Sequence, residues 1–183
     1  MNLEILYSDD VLVAVNKPHG LLVHRSSLAA DASIFALQVL RDQLKRKVYP
    51  VHRLDRKTGG VLLFTFDKNT LVCMQRKFAN GDLIKIYKAI VRGFTNDEDT
   101  IDYPLLDEKL QKKEAVTHYR TIQKKELDIP FGKFATSRYS LVEIMPEQGR
   151  MHQIRKHFAH IFHPIIGDRP YGCNKQNRFF KEK

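Results

Sequence analysis

The chain has 183 residues, enough for one domain with a sizeable core or for two small lobes. Its 31 Lys and Arg outweigh 21 Asp and Glu, and the resulting formal charge of +10 points to nucleic acid or another anionic surface as partner. Cys73 and Cys173 stand far apart with no Cys-x-x-Cys pair, which argues against a disulfide framework and a zinc knuckle. No apolar run reaches membrane-spanning length, and an N-terminus carrying Glu4, Asp9 and Asp10 lacks signal-peptide character, so the chain reads as cytoplasmic.

Residues 3–15 predict two short strands around a turn at Ser8-Asp9-Asp10, and Asn16-Lys17-Pro18-His19-Gly20 breaks the pattern before a further strand at 21–24. From Ser33, a candidate N-cap, Ile34, Leu37, Leu40 and Leu44 follow helical spacing. A strand at 61–66 leads to Asp67 as N-cap of a helix with Leu71, Met74 and Phe78 on one side, ending at Asn80-Gly81, and Cys73 and Met74 are read there as core. Residues 85–92 alternate as a strand in which Tyr87 shares a face with Ala89 and Val91. The polar stretch 96–113 reads as an excursion, strands resume at 115–122 and 136–145, and a helix follows the turn at 146–149 with Met151, Ile154, Phe158, Ile161 and Phe162 inward. Beyond Pro164 a loop is expected.

Chemistry concentrates in two segments. His52-Arg53-Leu54-Asp55-Arg56-Lys57-Thr58-Gly59-Gly60 holds one carboxylate among three certain cations, which favour its ionised form. An anionic oxygen beside a cationic groove can serve as nucleophile or base on a polyanion, although an isolated string of this kind is more often a surface turn with local ion pairs. Gly149-Arg150-Met151-His152-Gln153-Ile154-Arg155-Lys156-His157 puts cations at a helix start, where free N–H groups favour anions and one cation could bind Asp55. A lone basic helix is otherwise a solvated face. His152, His157, His160 and His163 do not follow a His-Glu-x-x-His pattern, so no metal site is expected. Phosphate-loop, dinucleotide and serine-nucleophile signatures are absent.

Taken in order, these segments resemble the motifs of the RluA-type family of RNA pseudouridine synthases. His52-Arg53-Leu54-Asp55 with Thr58 and Gly60 is similar to HRLDxxTSG, with Gly59 where serine is usual. Asn16-Lys17-Pro18-His19-Gly20 with Val23-His24 resembles NKPxGxxVH, and Lys85-x-Tyr87-x-Ala89-x-Val91-x-Gly93 resembles the tyrosine motif. The third motif is matched by Gly149 to His157 together with His163-Pro164-Ile165-Ile166-Gly167-Asp168. Leu22-Val23-His24-Arg25-Ser26, Asp102-Tyr103-Pro104-Leu105, Ala115-Val116-Thr117-His118-Tyr119-Arg120 and Gln176-Asn177-Arg178 further resemble a branch that modifies uridine 65 of tRNA.

The resemblance implies an α+β fold, a mostly antiparallel central sheet flanked by helices, and a reaction that needs no cofactor. Asp55 would be the catalytic nucleophile or base, Tyr87 would stack on the target uracil, and Arg155 would pair with and orient Asp55. Arg53 would fill the gap left by the extruded uridine. His52, Lys17, Arg150, His152 and Arg56 complete the expected RNA contacts. Family members continue for several tens of residues past Gly167-Asp168, so residues 1–183 are read as a single catalytic domain truncated at the C-terminus, without an S4-like domain at the N-terminus. The expected partner is tRNA and the expected state a monomer, unless another chain replaces the missing region. Three alternatives remain at this point: a synthase acting on ribosomal RNA, a noncatalytic RNA-binding protein, and a metal-dependent RNA hydrolase.

Overall fold

The computed structural model describes residues 1–25 and 33–182, so Ser26 of the branch resemblance lies outside the described residues. The chain forms two compact units, Met1–Asp82 and Leu83–Lys183. Each carries a four-stranded antiparallel sheet, so the strands expected in a central sheet are distributed over two.

In the first unit, β1 (Glu4–Ser8) and β2 (Leu12–Lys17) form a hairpin. Its turn is closed by Asp9, whose Oδ1 accepts the N–H groups of Val11 at 2.9 Å and Leu12 at 2.7 Å. With β3 (Tyr49–Pro50) and β4 (Gly60–Thr65) the sheet order is β1-β2-β4-β3. Val13, Val15, Leu62 and Phe64 are fully buried, so apolar burial holds the two central strands in register.

Helix α1 (Ala36–Leu44) begins later than the Ser33 cap predicted. Phe35 is buried in an extended conformation and bridges to Leu22, which leaves Ile34 exposed before the helix starts. Backbone carbonyls replace the side-chain cap, with Ala36 donating to Leu22 O at 2.8 Å and Leu37 to Val23 O at 3.0 Å. Residues 21–24 contribute that bridge rather than a full strand. Helix α2 (Lys68–Asn80) starts and stops as predicted, with Asp67 accepting Thr70 N at 2.8 Å and Gly81 at φ 79°. Cys73 is exposed, however, because α2 buries no residue fully and rests on half-buried Leu71, Met74 and Phe78.

In the second unit the sheet order is β5-β10-β9-β6. Its strands are β5 (Tyr87–Arg92), β6 (Glu98–Asp102), β9 (Val116–Leu127) and β10 (Ser137–Pro146). The stretch read as an excursion supplies β6 as an edge strand, and β7 (Leu105–Leu106) pairs with β8 (Lys112–Lys113). Helix α3 (Gln153–His160) drives Phe158 into a core of Val91, Ile101, Tyr119, Val142 and Ile144. Its start is delayed to Gln153 because His152 is left-handed at φ 58°. Met151 therefore stays exposed instead of turning inward, and Phe162, past the helix end and left-handed at φ 61°, is exposed as well. Helix α4 (Asn174–Glu182) forms where a loop was expected, since a segment with only two apolar residues, Phe179 and Phe180, gives little periodic signal.

Candidate active site

In the first unit, Lys17 at the end of β2 lies opposite Gly60 at the start of β4, which brings the 16–24 and 52–60 loops together. The Lys17 side chain is fully buried, and its Nζ donates to the carbonyls of Leu21 at 2.8 Å, Pro18 at 3.1 Å and Arg56 at 3.3 Å. Gly20 N donates to Arg56 O at 2.8 Å, and Arg56 Nε returns a bond to Gly20 O at 3.2 Å. These bonds stitch the two loops from both sides. Burial pulls the Lys17 ammonium down to about 8, and the negative charge of nearby Asp55 acts in the opposite sense.

Asp55 itself is half-buried, preceded by buried Leu54 and held in a turn whose Thr58 N donates to Asp55 O at 3.0 Å. The carboxylate thus occupies a braced loop with exposed Arg53, Arg56 and Lys57 around it. Gly59 stands where the motif usually has serine. A Cβ there would meet Lys17 O at 3.4 Å and His19 N at 3.6 Å, ordinary contacts, so either residue fits this backbone.

Two expected RNA contacts take internal roles instead. Lys17 offers no exposed ammonium to a phosphate, because its donors are directed at three carbonyls inside the protein. His52 stacks on Phe78 with ring centroids 4.8 Å apart, and its Nε2 accepts Leu63 N at 3.2 Å. Burial holds the imidazole below its usual pKa, consistent with a neutral ring acting as acceptor.

In the second unit, half-buried Tyr87 lies on the inward face of β5 and packs against the core that also takes Ile154 of α3. Arg155 faces Asp168, donating from Nε to Oδ2 at 2.7 Å and from Nη2 to Oδ1 at 2.9 Å, and its guanidinium lies 5.1 Å from the Tyr171 ring centre. His152 Nδ1 lies 3.1 Å from the Tyr171 hydroxyl, and exposed Arg150 donates Nε to Glu114 O at 3.0 Å. The left-handed His152 is what separates the exposed Arg150 turn from the helix proper.

Other motif residues hold this frame. Gln153 is buried and ties the helix start to β9, with Nε2 donating to Val116 O at 2.9 Å and Oε1 accepting Arg150 N at 3.0 Å. His157 is fully buried between Thr117 Oγ1 at 2.9 Å and Tyr103 O at 3.0 Å. A carbonyl can only accept, so His157 Nε2 carries the proton and Nδ1 accepts from Thr117. Burial first, then the neighbouring His160, keeps this ring below its usual pKa despite the opposing bond to Tyr103. His163 Nδ1 bonds Arg92 O at 2.8 Å beneath Gly93, where φ is 87° and a Cβ would sit 2.8 Å from the imidazole. Sequence reading did not single out Asp168 or Tyr171 as partners of Arg155; the signal available was the Gly167-Asp168 end of the third motif. Among the described residues no three His, Cys, Asp or Glu side chains are grouped to hold a metal ion, and no helix is long and apolar enough to cross a membrane.

Comparison with known proteins agrees with this frame. The RNA pseudouridylate synthase family profile matches residues 11–160. The tRNA pseudouridine synthase C of Haemophilus ducreyi is 48% identical over 193 residues, covering 100% of this chain and 79% of the relative. That of Vibrio cholerae is 48% identical over 191 residues, covering 98% and 78%. Human RNA pseudouridylate synthase domain containing 1 superposes with a TM-score of 0.79 at 22% identity over 97% of this chain and 73% of the human one, a likeness of fold. The motif loops, the profile that spans both units and near-half identity along the whole chain lead to one conclusion: this chain belongs to the RNA pseudouridylate synthase family, the isomerases that convert uridine in RNA to pseudouridine.

Proposed function

We propose that the substrate is tRNA, that the uridine converted is at position 65, and that the enzyme works in the cytoplasm. The observation that carries this reading is the 48% identity, over essentially the whole chain, to relatives named tRNA pseudouridine synthase C. In the reaction the N1–C1' bond breaks, the uracil turns while bound, and C5 bonds to C1'. C5 then loses its proton and N1 ends protonated, so no atom is gained or lost overall.

Asp55 is the nucleophile or base on the nucleoside, a role that needs its charged form. The cation-rich loop around it and the buried Lys17 brace support that assignment. Tyr87 stacks on the uracil, and Arg155 takes the orienting role that its place in the third motif implies. Arg53, exposed beside Asp55, fills the space vacated by the flipped uridine. Arg56, Arg150 and His152 contact RNA.

The test is to incubate the protein with unmodified tRNA transcript and with ribosomal RNA fragments and to map pseudouridine in each. Product at tRNA position 65 is expected. Product confined to ribosomal RNA would overturn the substrate, and RNA binding with no product in either would favour a noncatalytic binding protein.

A further inference from the structure

Asp168 is the most buried carboxylate in the second unit's site, with its side chain 4% exposed and the Arg155 side chain 21% exposed. Both its oxygens receive the guanidinium fork, a geometry that fixes the plane of the cation as well as its distance. The Tyr171 ring lies 5.1 Å from the same guanidinium. Behind Asp168 stands Asn177 of α4. Its Oδ1 accepts Gly167 N at 2.7 Å, and its Nδ2 donates to Asp168 O at 2.7 Å, so one amide grips the backbone on both sides of the carboxylate residue. Gly167 is left-handed at φ 86°, and a Cβ on Gly172 would collide with the Asp168 carbonyl, so the loop is confined from the other side too.

We infer that Asp168 and Asn177 are positioning residues for Arg155: the Asn177 amide sets the 167–172 loop, the loop sets the Asp168 carboxylate, and the carboxylate sets the plane of the guanidinium. This rests on the orienting role proposed above for Arg155. It gives α4 a part in catalysis through geometry, without any of its residues being assigned to the reacting nucleotide. A 1 Å error in the placement of a catalytic group costs on the order of a hundredfold in rate, so a loosened loop is felt in turnover before it is felt in binding.

The experiment measures single-turnover pseudouridine formation, affinity for unmodified tRNA and the thermal midpoint for Asn177→Leu, Asn177→Asp, Arg155→Lys and the double variant Asn177→Leu/Arg155→Lys. Asn177→Leu removes both bonds while keeping the branch at Cγ. Its rate is expected to fall about tenfold or more with tRNA affinity within about twofold, and Asn177→Asp, which retains the acceptor for Gly167, should fall less. In the double variant the loss should not exceed that of Arg155→Lys alone, because the amide acts through that guanidinium. If Asn177→Leu does not fold, Asn177→Asp and its double variant with Arg155→Lys carry the test. Wild-type turnover in folded Asn177 variants, or losses that multiply, would overturn the inference while leaving Arg155 in place. Wild-type turnover in Arg155→Lys would instead overturn the Arg155 reading on which it rests.

Discussion

Replacing Lys17 by Met keeps an unbranched buried side chain, one atom shorter, while removing its charge and its donors. At neutral pH two effects oppose each other. Three backbone carbonyls lose the ammonium, at 2.8, 3.1 and 3.3 Å, and leaving such groups without a donor costs about 1–3 kcal/mol. Removing a charge that is fully buried gives part of that back. The pH dependence separates them. Lys17 titrates at about 8 when folded against 10.5 when unfolded, a gap worth about 3.4 kcal/mol at about 1.36 per unit. Because the folded value is the lower one, the unfolded chain holds more protons between these limits, so stability rises with pH there and is lost as pH falls through about 8. The wild type should therefore gain about 2 kcal/mol over Lys17→Met between pH 7 and pH 9.5. Urea unfolding of both proteins at the two pH values measures this, since all other titrations are common to both. An unchanged difference between the two proteins would refute the buried, charged brace.

Three further outcomes are expected. Asp67→Ala removes the acceptor for Thr70 N and Thr70 Oγ1, bonds of 2.8 and 2.7 Å, and should cost about 1 kcal/mol in urea unfolding. Gly93→Ala forces a left-handed alanine against His163 Nδ1 and should lower stability by about 1–3 kcal/mol, whereas His163→Ala in the same background should recover part of that loss. His157 is kept neutral by burial, so its contribution is present above the ordinary histidine pKa of about 6.5 and erodes as pH falls below it. The slope of stability against pH between about 6.5 and 5 should flatten in His157→Gln, and an identical slope would rule out that source.

The fold was legible where local chemistry and burial agree. Asp67 and Gly81 bracket α2 as their residue types dictate, and Tyr87, Ala89 and Val91 share the inward face that alternation predicted. Periodicity was less informative where long-range packing competes. Phe35 trades a helical turn for burial and a bridge to Leu22, and α4 shows almost no apolar stripe. At the site, the charge pattern made Asp55 the residue to explain, and the motif resemblance, not charge, pointed to Arg155. A motif resemblance does not say which way a side chain points, which is why Lys17 and His52 read as RNA contacts while the fold turns them inward. Asp168 as a partner of Arg155 was hidden for a related reason: it lies thirteen positions away in a loop that the Asn177 amide bonds from α4.

The measurement that bears most directly on the account is pseudouridine formation by Asp55→Asn in unmodified tRNA, beside the wild type and with RNA affinity measured for both. The substitution preserves shape and removes the charge that the chemistry needs, so binding should persist while turnover disappears. Turnover retained at the wild-type rate would contradict the assignment of Asp55 as the reacting carboxylate.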